Sequence, residues 1–181
     1  MSSESALHYV CTIEEARRLV DRQQDFWVSE CWCRGERGGC SRSRSDVCLQ
    51  FAPETEADPK TKRKRTRLEV EEILIEAEQK RLVARPFRDR ADMEITAGIC
   101  FCCDDCCGYF LHPEERCDKG EMIESTDMAV CDDCMACLEV CRFGARTRSN
   151  GNLQIDRDRC YGCGLCAAVC PIDCVTMVAR A

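Results

Sequence analysis

Histidine occurs only twice in this chain, and the two histidines, His8 and His112, have no metal-spaced partners, so both read as ordinary surface residues. No apolar run approaches the roughly 20 residues that a membrane-spanning helix needs. The opening residues, M-S-S-E-S-A-L-H-Y-V, show no basic stretch leading into an apolar one. These absences predict a cytoplasmic chain with no membrane span. No Gly-rich phosphate loop and no Ser–His–Asp or Cys–His pattern is present, so nucleotide, flavin or hydrolytic chemistry finds no support and no catalytic residue is assigned. Positive charge is scarce in one half. Residues 91–181 hold 8 Lys/Arg against 16 Asp/Glu, a net −8, whereas residues 1–90 sit at +1. Phosphate contacts need cations, so the acidic half argues against nucleic acid. It suits docking on a basic patch of a partner protein.

Cysteine, by contrast, is abundant. Its 20 copies are about 11% of the chain, the level of a disulfide scaffold in a secreted protein. In a reducing compartment, clustered thiols more often bind metal. Residues 160–171, C-Y-G-C-G-L-C-A-A-V-C-P, hold four cysteines, and C-D-D-C-M-A-C-L-E-V-C at 131–141 repeats the pattern 29 residues earlier. A C-x2-C-x2-C turn gathers three sulfurs into one small volume, and a cubane cluster takes a fourth from elsewhere. Paired zinc sites are the competing reading, but zinc ribbons use C-x2-C knuckles separated by a longer loop. Asn150-Gly151 is a turn signal between the two halves.

On these motifs, residues 129–181 resemble a bacterial-type two-[4Fe-4S] (dicluster) ferredoxin. The resemblance implies a (βαβ)2 fold with crossed ligation. Cluster I would take Cys131, Cys134, Cys137 and Cys170, and cluster II would take Cys160, Cys163, Cys166 and Cys141. Gly162 and Gly164 would let backbone N–H groups approach the inorganic sulfides, Pro171 would turn the chain away, and Ile155, Val175 and Ile172 would provide apolar cover. Arg142 stands where the family usually has proline. Cys174 aligns with Ala145 and reads as a small buried residue, not a ligand.

Nine more cysteines form two upstream groups: Cys31, Cys33, Cys40 and Cys48, then Cys100, Cys102, Cys103, Cys106 and Cys107. The chain is loosely similar to anaerobe iron–sulfur proteins with C-x-C-R and a C-N-C-C-like run before a dicluster tail. That similarity implies that the two groups meet around one or two further centres, at least one a third [4Fe-4S] cluster, with zinc as competitor. Trp27, Trp32 and Phe26 flank the first group as shielding or core. Cys11 and Cys117 receive no role. The paired carboxylates Asp104 and Asp105, set among thiols, are not read as an acid/base pair.

The remaining pattern predicts helices over 12–24, capped by Thr12 and Glu15, and over 67–82, with Val70, Ile73, Leu74 and Ala77 inward and Pro86 just beyond. Residues 26–51 read as loop-rich, 52–67 as an exposed linker, and 111–129 as an acidic connection. The expected fold is therefore α+β: a mainly helical, cysteine-rich domain over 1–125, then a ferredoxin domain over 126–181. The expected role is an electron-transfer subunit of a larger complex, serving a partner oxidoreductase or flavoprotein subunit. The alternative is a reductive enzyme whose N-terminal centre is the active site, fed by the tail.

Overall fold

A computed structural model describes residues 5–53, 60–112 and 115–181. Residues 1–4, part of the opening stretch, and residues 54–59, part of the expected linker, lie outside the described residues, as do 113–114 of the acidic connection. In chain order the elements are β1 (His8–Tyr9), α1 (Ile13–Asp21), β2 (Phe26–Ser29), α2 (Trp32–Glu36), β3 (Cys48–Gln50), β4 (Arg63–Arg65), α3 (Arg67–Gln79), β5 (Val83–Arg88), β6 (Thr96–Cys102), α4 (Gly108–Leu111), β7 (Cys117–Asp118), β8 (Met122–Thr126), α5 (Ala136–Glu139), β9 (Arg146–Ser149), β10 (Asn152–Ile155), α6 (Leu165–Ala168) and β11 (Val175–Ala179).

The N-terminal region is built on a sheet and is not mainly helical. Seven strands run in the order β4-β2-β3-β6-β5-β1-β7, antiparallel except for the β1–β7 pair. The two expected helices do form. Thr12 with Glu15 and Thr66 with Glu69 close complete capping boxes at α1 and α3, each worth about 1 kcal/mol. Ala16 and Val20 of α1 and Val70, Ile73, Leu74 and Ala77 of α3 bury against Phe26, Val28, Leu49, Ala84, Ile99 and Phe101 of the strands. Each fully buried Leu, Ile or Phe among them contributes about 1.5–3 kcal/mol. This core forms from apolar side chains alone, with Cys11, Cys103 and Cys106 at its margin.

The miss has a physical origin. Residues 26–29 and 48–50 are short strands whose cysteines and polar residues mask the alternation, and Arg63–Arg65 of the expected linker is an edge strand paired to β2. Pro86 lies inside β5, opposite Ile99, and does not follow the helix as a terminator. The expected acidic connection holds both β7 and β8.

Strand alternation then decides where the thiols go. Leu49, Ala84, Ile99 and Phe101 face the helices. Their neighbours Cys48, Arg85, Cys100 and Cys102 therefore face the other way, and all four line a cavity on that side of the sheet. Gly98 holds β3 and β6 close, because a Cβ there would stand 2.2 Å from the Leu49 carbonyl oxygen.

The tail is two βαβ units. β8 pairs antiparallel with β11, and β9 with β10. Asn150 and Gly151 join β9 to β10 with φ of 51° and 89°, both in the left-handed region that a two-residue hairpin turn requires. A second apolar cluster joins the regions: Val10 and Val83 from the sheet meet Val140 and Leu165 of the tail, with Phe110, Phe143 and Tyr161 against them.

Candidate metal centres

In the tail, Cys141, Cys160, Cys163 and Cys166 line one small enclosed cavity with Leu165, Tyr161 and Met177. Burial pushes the Cys163 thiol up to about 12 and the Cys166 thiol up to about 11. Thiols so placed carry charge only with a cationic partner, which suits metal ligation. Arg146 supplies a second sign of the same chemistry. It is buried, its Nη1 donates to Cys137 Sγ at 3.1 Å, and its Nη2 donates to Glu124 at 2.8 Å and Thr126 at 2.9 Å. Burial opposes its charge, yet Cys166 and Cys137 beside it hold its pKa above the usual value. One buried guanidinium thus lies between a thiol of each set. These donors and thiols fit iron–sulfur groups, in which hydrogen bonds to sulfur tune the potential.

The two halves are not equivalent. Gly162 and Gly164 adopt φ of 81° and 78°, and the positions 29 residues earlier, Asp133 and Met135, adopt 55° and 65°. Left-handed backbone costs a non-glycine residue about 1–2 kcal/mol. Asp133 offsets part of this by accepting a hydrogen bond from Leu153 N at 2.8 Å. The glycines are required in the second half by close approach: a Cβ at 162 would stand 2.1 Å from the Met122 oxygen, and one at 164 would stand 3.1 Å from Thr12 Cγ2. Val175 is buried as cover, whereas Ile172 is exposed and covers nothing. Cys174 is buried with its sulfur 3.4 Å from Cys170 Sγ.

The upstream groups do meet. Cys31, Cys33, Cys48, Cys100, Cys102, Cys106 and Cys107 line a cavity of about 620 Å³. Cys31 and Cys33 enter from the β2–α2 junction, Cys48, Cys100 and Cys102 from the sheet, and Cys107 from the cap of α4. Hydrogen bonds from Cys107 and Cys31 draw the Cys33 thiol down to about 2, and one from Cys100 draws Cys48 to about 7. Buried Arg85 donates to Cys107 Sγ at 3.3 Å and Cys102 Sγ at 3.8 Å, and pairs with Glu115. Gln50 donates to Cys48 Sγ at 3.4 Å. Cys106 also belongs to a tighter trio with Cys40 and Cys103, all within 4.8 Å of one another.

Sequence reasoning missed several participants. His8 is not a surface residue; it lines the thiol cavity, and burial followed by the nearby Arg85 charge lowers its pKa to about 4. His112 also lines the cavity, within 3.1 Å of Arg37 Nη2. Arg34 ends the C-x-C-R run, which gives it no role of its own, Arg85 carries no motif, and the topology brings both to the thiols. Trp32 stands 75% exposed on the cavity rim, so it shields no core. Phe26 is buried core, and Trp27 lies under Lys64 Nζ. Arg142, the departure from proline, pairs with Asp104 at 2.9 Å and so ties the tail to the C-F-C-C-D-D-C-C loop. Beside that tie, Tyr109, Phe110, Phe143 and Tyr161 form a chain of ring contacts, with Phe143 and Tyr161 stacked at 4.4 Å. Arg85 lies 4.2 Å over Tyr109. The aromatic bridge therefore runs from the sheet-side thiol cavity to the Cys141 and Cys160 turns.

Comparison with known proteins agrees with the tail geometry. Residues 130–174 match the 4Fe-4S dicluster domain family. The C-terminal segment is a two-cluster ferredoxin domain of the iron–sulfur class. Similar proteins include an uncharacterized ferredoxin of Methanocaldococcus jannaschii, 39% identical over 54 residues, which are 29% of this chain and 32% of that protein. Hydrogenase-4 component A of Escherichia coli is 34% identical over 71 residues, 38% of this chain and 34% of that one. The electron transport protein HydN of Escherichia coli is 31% identical over 75 residues, 39% of this chain and 43% of its own length. The chain thus spans about a third of the first relative and less than half of the others. Among the described residues, no helix is long and apolar enough to cross a membrane.

Proposed function

We propose that the protein is a cytoplasmic electron-transfer subunit that relays electrons between a partner oxidoreductase or flavoprotein and its own iron–sulfur centres. Two [4Fe-4S] groups in the tail would be held by Cys131, Cys134, Cys137 and Cys170, and by Cys160, Cys163, Cys166 and Cys141. Such groups supply one-electron storage when bound. The chain's share is to hold them, to set Arg146 between them, and to keep water from the second set with Leu165, Tyr161 and Met177. The sheet-side thiol cavity would hold a third [4Fe-4S] group, with Arg85 and Gln50 donating to its sulfurs. The boundary proposed between residues 125 and 126 falls within β8.

The observation that carries this reading is the aromatic bridge between the cavity and the Cys141 and Cys160 turns. It leaves the other set, with the exposed Cys134, toward solvent. The acidic half gives that end a surface suited to a basic patch on the partner. Similar proteins include a hydrogenase component and an electron transport protein by name, which supports a subunit role.

The test is a redox titration of the full chain under argon, followed by electron paramagnetic resonance. Reversible one-electron steps, reoxidation by a flavoprotein acceptor and no turnover by the chain alone support the proposal. A small-molecule substrate that changes a signal persisting in Cys163→Ser would instead favour the reductive-enzyme reading, with the cavity as active site.

A further inference from the structure

The nine upstream cysteines do not form one site. Seven line the sheet-side cavity, and one of these, Cys106, also closes a tighter trio with Cys40 and Cys103, which do not line it, with Sγ separations of 3.4 Å for Cys40–Cys103 and 3.4 Å for Cys103–Cys106. That spacing discriminates between metals. A tetrahedral ion about 2.3 Å from each thiolate sets the sulfurs about 3.8 Å apart. A cubane needs wider spacing, because each thiolate binds a different iron. The trio therefore matches a mononuclear ion after a shift of a few tenths of an ångström.

A second observation concerns charge. Arg34 is fully buried, yet among the described residues no carboxylate lies within ion-pair distance of it. Its guanidinium donates to the carbonyls of Phe101, at 2.9 Å, and Arg44, and its Nε has no partner. A buried cation without a counter-charge is unfavourable. Its neighbouring anion-forming groups are thiols, Cys106 and Cys40 of the trio together with Cys31 of the cavity, and their charge favours its own. Three thiolates with one divalent cation carry a net charge of about −1, which Arg34 balances.

The loop carrying Cys40 is fastened over the trio. Ser41 N donates to Asp105 Oδ2 at 2.8 Å, and Arg42 pairs with Asp104 at 2.9 Å. The paired carboxylates, which had no role as acid and base, are the fasteners. Among the described residues no fourth Cys, His, Asp or Glu ligand atom lies within 4.8 Å of all three sulfurs.

We propose that Cys40, Cys103 and Cys106 bind a single zinc ion, with Arg34 as its buried counter-charge and water in the fourth position. The ion is a centre of different chemistry from the cubane in the cavity: zinc carries no redox change, and its task is to pin the 37–46 loop to the β6–α4 turn. The proposal does not rest on electron transfer, since zinc can be absent while tail iron remains.

The test is metal analysis of the full chain, purified without oxygen after growth with added zinc, together with X-ray absorption at the zinc edge. About one zinc per chain in a shell of three sulfurs near 2.3 Å is expected. Cys103→Ser should lose the zinc and keep the iron, and Cys102→Ser, on the cavity wall, should do the reverse. If Cys103→Ser does not fold, the wild-type zinc edge decides. Protein without zinc, a shell dominated by nitrogen and oxygen, or loss of iron in step with zinc on replacing Cys103 would overturn the assignment.

Discussion

The tail and the sheet domain gather similar numbers of thiols by opposite means. The tail takes its sulfurs from two contiguous turns, 131–141 and 160–170, and its small strands leave little apolar core of their own. The sheet domain takes seven sulfurs from β2–α2, β3, β6 and the turn and cap leading into α4, and separately buries a full apolar core under α1 and α3. Metal and fold are therefore coupled differently. In the tail, cluster binding is folding free energy. In the sheet domain the scaffold stands first and the thiols are presented by strand alternation.

That contrast can be broken most severely by paired ligand replacements. Cys163→Ser is expected to remove about four irons per chain and to leave residues 122–181 open to proteolysis. Cys33→Ser should cost metal in the cavity while the sheet keeps its circular dichroism. Equal loss of order in both variants would contradict the difference.

A smaller effect is expected at Arg146. Replacing it with Leu leaves Glu124, which is 2% exposed, with the Thr126 hydroxyl and, as its one remaining cation among the described residues, Arg157 at 2.9 Å. The loss should be about 3 kcal/mol, read as a lowered thermal midpoint of the holoprotein, with the sheet domain melting as before. The two tail halves offer a finer comparison. Gly162→Ala should destabilise by about 1–3 kcal/mol, since it joins left-handed backbone to a clash with Met122. Met135→Gly should stabilise by about 1 kcal/mol, because it relieves the same backbone strain in the half that lacks glycine. The smallest effect belongs to Arg142→Ala, which removes a half-exposed tie to Asp104. Less than about 1 kcal/mol is expected, with faster hydrogen exchange confined to the junction of the two regions.

Legibility followed the same divide. The tail could be read because its ligands are local: spacing alone named the motif, and Asn150-Gly151 named the hairpin. The capping box of α1 was legible for the same reason, since Thr12 and Glu15 are three residues apart, whereas the Thr66–Glu69 box of α3 came only with the structure. The sheet was not, because β2, β3 and β4 are three or four residues long and carry Trp, Ser, Cys, Gln, Lys and Arg where alternation should show. The partition of nine upstream cysteines was also hidden. Adjacent Cys102 and Cys103 go to different sites, because Cys102 ends a strand and Cys103 begins the turn. Arg85 gave no sign in sequence and Arg34 only a place at the end of C-x-C-R, as a buried arginine is recognised only by what surrounds it.

The most direct test of the central claim is iron and acid-labile sulfide content of the anaerobically purified full chain, with electron paramagnetic resonance of the dithionite-reduced protein. At least about eight irons and eight sulfides per chain are expected, with signals of two neighbouring, spin-coupled [4Fe-4S] groups that lose their coupling in Cys163→Ser. A colourless protein whose tail cysteines hold only zinc after anoxic reconstitution would contradict it.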